Sequence, residues 1–183
     1  EYEVGVGEAA FYGPKIDFIA KDAIGREWQL ATIQLDFNQP ERFELEYTDS
    51  DGAKKRPIMI HRAISGSIER FMAVLIEHYV GAFPLWLAPI QMMLCPVGET
   101  HVEFARALQV EIDAAGGRAE VDESGDKVGA KIRRAAEQKI PWTLVIGDKE
   151  AGGEPFQIRV FGVEAPLILD RAGLMEEIKK QIV

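Results

Sequence analysis

The hydrophobic and polar positions of the chain follow two different periods. Residues 15–20, Lys-Ile-Asp-Phe-Ile-Ala, alternate and predict a strand. Residues 23–26 hold Gly25 and predict a turn, and 27–37 are rich in β-compatible residues, so the two strands form a hairpin. A short strand is expected at 43–47, a surface turn at 48–52 and a solvated tip at Lys54-Lys55-Arg56. A short buried strand is expected at 57–60. The period then becomes helical. Ile64, Ile68, Phe71, Met72, Leu75, Ile76 and Tyr79 recur at three- and four-residue spacing, which predicts an amphipathic helix over 62–80 ended by Gly81. Its other side is narrow: Ala63, Gly66, Ser67 and Val74 surround Arg70, so another element or a ligand can approach that cation closely.

Residues 83–89, Phe-Pro-Leu-Trp-Leu-Ala-Pro, predict an extended connector and a domain boundary, giving domains 1–84 and 85–183. Beyond it strand and helix alternate. Strands are expected at 90–95, 118–121, 142–146 and 156–160, and helices at 99–115, 127–138 and 172–183. This order implies βαβ units and a mostly parallel mixed sheet, so an α/β domain follows an α+β one built on antiparallel strands.

Composition narrows the classes. The chain has 183 residues, 47% hydrophobic and 28% charged, the profile of a folded chain long enough to bury a core. Lys plus Arg number 21 and Asp plus Glu 30, for a net charge of −9, which argues against coating nucleic acid through bulk charge. The acidity is even: 12 basic against 16 acidic residues from Ala88 on, 9 against 14 before it. A single cysteine, Cys95, excludes an internal disulfide and a self-contained zinc ribbon or finger, and reads as a buried hydrophobe. No apolar run approaches the roughly 20 residues needed to span a membrane, so no membrane partner is expected. The opening residues are not those of a signal peptide and include no initiator Met. The expected location is cytoplasmic, and the chain is expected to start inside a longer protein or to be processed.

Three segments of the first half carry candidate chemistry. In Phe11-Tyr-Gly-Pro-Lys15 a Gly-Pro turn presents Tyr12 and Lys15 at a strand start, as an ordinary turn or a ligand-facing one. In Gln29-Leu-Ala-Thr-Ile-Gln-Leu-Asp-Phe37, Thr32 and Gln34 share a strand face and suit a small polar ligand, or a half-exposed strand. Gln29 has the opposite parity. If it serves the same pocket, a bulge must lie between Gln29 and Thr32. In His61-Arg-Ala-Ile-Ser-Gly-Ser-Ile-Glu-Arg-Phe71, a strand-end His and a helix Arg fit metal and phosphate binding, or a structural His and an ion pair.

Together, in this order and spacing, the three segments resemble the threonyl-tRNA synthetase family of class II aminoacyl-tRNA synthetases. The last is similar to its third class II motif, and residues 83–89 to its link into the anticodon-binding domain. The resemblance implies the C-terminal part of a catalytic domain, an antiparallel sheet with the motif-3 helix, followed by an anticodon-binding domain. It implies that threonine and ATP, with Mg2+, form an adenylate and that threonyl then passes to tRNA(Thr). It gives Lys15 and Arg70 catalytic roles, Arg70 clamping the ATP γ-phosphate with a planar, always-charged fork. Tyr12, Gln29, Thr32, Gln34 and Ser67 would line the threonine and adenylate pocket. His61 would be one of three Zn2+ ligands, the other two lying upstream. His78 and His101 match no ligand and read as surface residues. The first two class II motifs, which supply a homodimer interface and a phosphate-binding Arg, are not in this chain, so the chain alone is expected not to activate threonine.

For the second half, Lys127, Lys131 and Arg134 fall on one face of the predicted helix opposite Val128, Ile132 and Ala135. That is either a solvated face or, by the resemblance, an RNA-backbone contact, with Arg133 also matching a family Arg. Glu150, after a strand end, and Arg159 match residues that read the threonine anticodon. The chain departs from the family at Ser124 and Gly125, where an Arg-Asn pair is usual, and at Lys139, where an Arg is common. After Arg159, Val-Phe-Gly-Val-Glu164 replaces a basic turn. These changes remove donors and bear on anticodon affinity more than on fold. Two other classes remain: a non-catalytic RNA-binding accessory protein that kept the anticodon-type domain, and a generic nucleotide-binding module. The second has little support, because Pro96-Val-Gly-Glu-Thr is not a Gly-rich phosphate loop.

Overall fold

A computed structural model describes residues 2–182. It divides into two compact units, Glu1–His78 and Tyr79–Val183. The division falls at the end of the first unit's helix, six residues before the connector boundary expected at 84/85. Leu85 and Ala88 of that connector are buried, and Leu85 joins the second unit's core.

In the first unit, β1 (Lys15–Lys21) and β2 (Glu27–Asp36) form an antiparallel hairpin, and β5 (Met59–Ala63) adds to the other edge of β2. Asp22 builds the hairpin turn. Its Oδ1 accepts from the Ile24 and Arg26 amides at 3.1 and 2.8 Å, and Gly25 supplies a positive φ of 84°. The register shifts at Phe18/Ile19: Phe18 faces Ala31 but Ile19 faces Gln29, leaving Leu30 as an extra residue in β2. This is the bulge required between Gln29 and Thr32.

Between β2 and β5 the chain differs from expectation. Asp36 Oδ1 accepts from the Asn38 and Gln39 amides, both at 2.9 Å, and starts a short helix α1 (Asn38–Arg42). Glu44 then adopts φ 52°, a left-handed conformation that no strand continues through, so most of the strand expected at 43–47 is absent. Only β3 (Tyr47–Thr48) pairs, with β4 (Lys54–Lys55), and both are exposed. Ile58 and Ile60, expected to be buried, are exposed as well.

Helix α2 runs over Ile68–Tyr79, six residues shorter at its start than the periodicity suggests, because β5 continues to Ala63 and Gly66 turns the chain at φ 57°. A Cβ at Gly66 would lie 2.7 Å from the Leu30 carbonyl oxygen, so the bulge and this turn require glycine there. Ser67 caps the helix, its Oγ accepting from the Arg70 amide at 3.3 Å. The apolar stripe is not covered: Ile68, Met72 and Ile76 are exposed, and α2 buries no residue.

The second unit holds the hydrophobic core. Its sheet has the order β10-β9-β8-β6-β7, from β6 (Met92–Pro96), β7 (Ala119–Val121), β8 (Trp142–Ile146), β9 (Phe156–Val160) and β10 (Leu167–Leu169). Pairings β6–β7 and β6–β8 are parallel, and β8–β9 and β9–β10 antiparallel, so the sheet is evenly mixed rather than mostly parallel. Alternate residues serve two faces. Met92, Leu94, Leu144 and Ile158 pack with Leu108 and Ile112 of α3 (Val102–Ala114) and Leu174 and Ile178 of α6 (Arg171–Ile182). Met93 and Cys95 face Ala135 of α4 (Val128–Glu137). Three layers result, with β6 and β8 buried at nearly every position, as strands covered on both faces must be. A single turn of helix, α5 (Asp148–Ala151), and strand β10 were not foreseen; both are very short.

Candidate functional site

Residues directly opposite on neighbouring strands point to the same sheet face. Lys15 pairs with Gln34 and Gln34 with His61; Asp17 pairs with Thr32. The Leu30 bulge returns Gln29 to this face, where its Nε2 donates to Asp17 Oδ1 at 2.7 Å. The face therefore carries a polar row, Lys15, Gln34 and His61, with Asp17, Thr32 and Gln29 beside it and Ile19, Met59 and Ala63 at its margins, whereas Ile16, Phe18 and Ile60 belong to the other parity.

Its contacts are specific. The Tyr12 hydroxyl donates to Gln34 Oε1 at 2.9 Å, and the Tyr12 ring meets that of His61 edge-on at 6.2 Å between centroids. Asp17 receives Lys15 Nζ at 2.5 Å and Thr32 Oγ1 at 2.7 Å. These bonds, led by that from Lys15, hold the Asp17 carboxyl below the usual aspartate range, and the bond to Asp17 raises the Lys15 ammonium in return. Arg70 reaches back from α2, its Nη1 donating to the Gln29 carbonyl at 3.3 Å, and is otherwise exposed. Ser67 donates to Glu69 at 2.7 Å besides capping the helix, so its hydroxyl serves the helix start.

His61 bonds Asp36 Oδ2 through Nε2 at 2.8 Å. Asp36 is buried, and its carboxyl is held low by the Gln39 amide first, then by His61 and the Asn38 amide. A carboxylate on one ring nitrogen is the usual support of a metal-ligating histidine, and Nδ1 is the ring nitrogen that Asp36 does not engage. Among the described residues no three potential ligand side chains cluster. A cavity of about 340 Å3 beside His61 is lined by Phe11, Tyr12, Gln34, Asp36, Gln39 and Arg42 among others. Asp17 and Asp36 were missed by sequence reasoning. The signal for Asp17 was present, since it alternates in step with Lys15.

In the second unit, Glu150 and Arg159 line one cavity of about 470 Å3, together with Gln157, Glu164 and, from α4, Val128 and Ile132. Gln157 and Arg159 share a face of β9 by strand parity. Glu150 Oε2 accepts from the Gly147 amide at 3.0 Å, which fixes the turn after β8. Lys127 and Arg133 are exposed and do not line this cavity.

Lys131 does not lie on an open face of α4 as the helical pattern predicts. It is 3% exposed, and its Nζ donates to the Pro96 carbonyl at 3.0 Å and the Asp122 carbonyl at 2.8 Å. It ties two strand ends together and is not presented to a phosphate. Arg134 is committed too, to Asp122, Ser124 and Asp126. His101, expected at the surface, is largely enclosed and bonds Asp148 at 3.0 Å. Cys95 is fully buried, and burial pushes its thiol up to about 11.

Residues 3–79 match the family model for the tRNA synthetase class II core domain (G, H, P, S and T), and residues 91–181 that for an anticodon binding domain. The threonine–tRNA ligase of Deinococcus deserti is 55% identical over 163 residues, 89% of this chain and 25% of that protein. That of Caldanaerobacter subterraneus subsp. tengcongensis is 52% identical over 183 residues, 99% of this chain and 28% of that protein. The chain thus spans about a quarter of the length of these relatives. The solved RNA binding domain of threonyl-tRNA synthetase from Cryptosporidium parvum Iowa II aligns with a TM-score of 0.86 at 37% identity, covering 96% of this chain and 44% of that one.

Proposed function

The chain belongs to the threonyl-tRNA synthetase family of class II tRNA synthetases, and from that premise we propose that it is the C-terminal portion of a working threonine–tRNA ligase. The complete polypeptide would activate threonine with ATP and Mg2+, and transfer it to tRNA(Thr), as a cytoplasmic homodimer. The observation that carries this reading is the polar sheet face, where Lys15, Gln34 and His61 from three strands stand in one row.

Lys15 on that face and Arg70 from α2 would be the cations for charge developing on the phosphates. Positioning and electrostatic stabilisation supply most of such a step. Tyr12 holds Gln34 by its oxygen, so Gln34 turns its amide hydrogens toward substrate. Gln29 and Thr32 complete the pocket wall. Zn2+, when bound, would supply a Lewis-acidic position for the amino and hydroxyl groups of threonine. This chain would contribute His61, held in orientation by Asp36. In the second unit the Glu150–Arg159 cavity would receive an unstacked anticodon base, with Gln157 as a third edge-reading group, while Lys127 and Arg133 would meet the RNA backbone. No helix of the described residues is long and apolar enough to cross a membrane.

An accessory RNA-binding protein would have no use for a polar face of this composition in the first unit. The test is threonine-dependent ATP–pyrophosphate exchange. The full-length polypeptide should exchange, Arg70→Ala should lower kcat/KM by roughly 100-fold or more, and the 183-residue chain alone should be inactive. A full-length protein that folds but does not exchange would remove the enzymatic reading.

A further inference from the structure

One side chain organises the polar face of the first unit and has no assigned part in it. The Asp17 carboxylate takes three donors: Lys15 Nζ on Oδ2 at 2.5 Å, and Gln29 Nε2 and Thr32 Oγ1 on Oδ1, both at 2.7 Å. These come from both strands of the hairpin, and the Gln29 bond exists because of the bulge at Leu30. The Asp17 side chain is 22% exposed and that of Lys15 27%, so the cluster lies at the surface of the face.

The hydrogen bonds to Asp17 and Tyr12 set the direction in which these groups point. A threonine hydroxyl has one proton. Thr32 directs it to Asp17 at 2.7 Å rather than to the Ile16 carbonyl at 3.3 Å, which leaves oxygen lone pairs for a ligand. Gln29 spends one of its two side-chain amide hydrogens on Asp17, which orients Nε2 inward and leaves Oε1 for a ligand. Gln34 is set the other way, because the Tyr12 hydroxyl occupies its oxygen. The face is thus divided into an accepting corner at Gln29 and Thr32 and a donating position at Gln34.

We propose that Asp17 is a positioning residue of this site: it fixes Lys15, Gln29 and Thr32, and it makes the Gln29–Thr32 corner the place for a hydrogen-bond-donating, non-phosphate part of the substrate, a hydroxyl or an amino group. Phosphate oxygens only accept, so they find no donor in the lone pairs that Gln29 Oε1 and Thr32 Oγ1 offer, and Lys15 and Arg70 are the cationic donors left for them. Replacing the carboxylate by an amide reverses this arrangement. An Asn at position 17 has a single acceptor atom for three donors, and its own amide hydrogens compete for Thr32.

This inference rests on the synthetase reading, and its test separates the two. In the full-length enzyme, Asp17→Asn and Asp17→Ser are compared with wild type by ATP–pyrophosphate exchange, with active sites titrated. Either variant should lose about 10- to 100-fold in kcat/KM, the size that supporting partners of site residues usually carry. The KM for threonine or ATP should rise, and the melting midpoint should be kept. In a double-mutant cycle, Thr32→Val should cost little more once Asp17 is Asn. Wild-type enzyme without threonine-dependent exchange would sink the functional reading itself. Active wild type with unchanged variants, with losses additive to Thr32→Val, or with a loss confined to the number of active sites would overturn the role of Asp17. Collapse of the fold in both variants would also overturn it, by making Asp17 a structural residue.

Discussion

Lys131 shows what a side chain's chemistry becomes when its surroundings are fixed by distant parts of the chain. An ammonium that is 3% exposed survives because two carbonyls, from the end of β6 and the residue after β7, accept from it. Lys131→Met fills similar volume but leaves both carbonyls without that donor, and should cost roughly 3 kcal/mol of stability in urea unfolding, with no direct loss of an RNA contact. A solvated lysine would cost almost nothing. Helical periodicity placed Lys131 outward because its partners are 35 and 9 residues away in sequence. His101 was misjudged for the same reason, its partner Asp148 being 47 residues away. Asp17 and Gln157, in contrast, were legible by strand parity with Lys15 and Arg159.

At the scale of elements, the β1–β2 hairpin depends on one carboxylate. Burial raises the Asp22 carboxyl, but bonds from the Trp28 indole, the Arg26 guanidinium and the Arg26 and Ile24 amides outweigh it, and bring it to about 2 from the usual 3.8. A group lowered on folding stabilises while ionised. Its contribution is therefore complete above the unfolded value and is lost as pH falls from about 4 toward 2. The Trp28 indole N–H resonance should shift over that window, and Asp22→Asn should abolish the step; a step that persists in the variant would assign it to another group. Elements were readable where burial matched period. Strand β8 lies where its apolar run predicts, because a strand covered on both faces must be apolar, and β9 lies where its alternation predicts, with Phe156 and Ile158 buried and Gln157 and Arg159 exposed. Helix α2 was overextended at its start because Ile64 fits the helical spacing, while Gly66 at φ 57° breaks the helix before Ile68.

At the scale of the molecule, the buried apolar clusters of the described residues all fall between Leu85 and Ile178, within the second unit. The first unit presents a polar site face and leaves Ile16, Phe18, Ile60 and the α2 stripe exposed. The net charge of −9 constrains the tRNA reading differently: with Lys131 and Arg134 engaged internally, binding must come from a local site and not from bulk attraction. On the proposed reading the second unit of this acidic chain receives the anticodon of tRNA(Thr), and the 183-residue chain holds every residue that the test needs. Fluorescence anisotropy should show the anticodon stem–loop of tRNA(Thr) binding at least about 10-fold more tightly than one with an altered anticodon, and Arg159→Ala should erase the difference. Equal binding of the two stem–loops, or full discrimination by the Arg159→Ala chain, would show that this cavity does not read the anticodon.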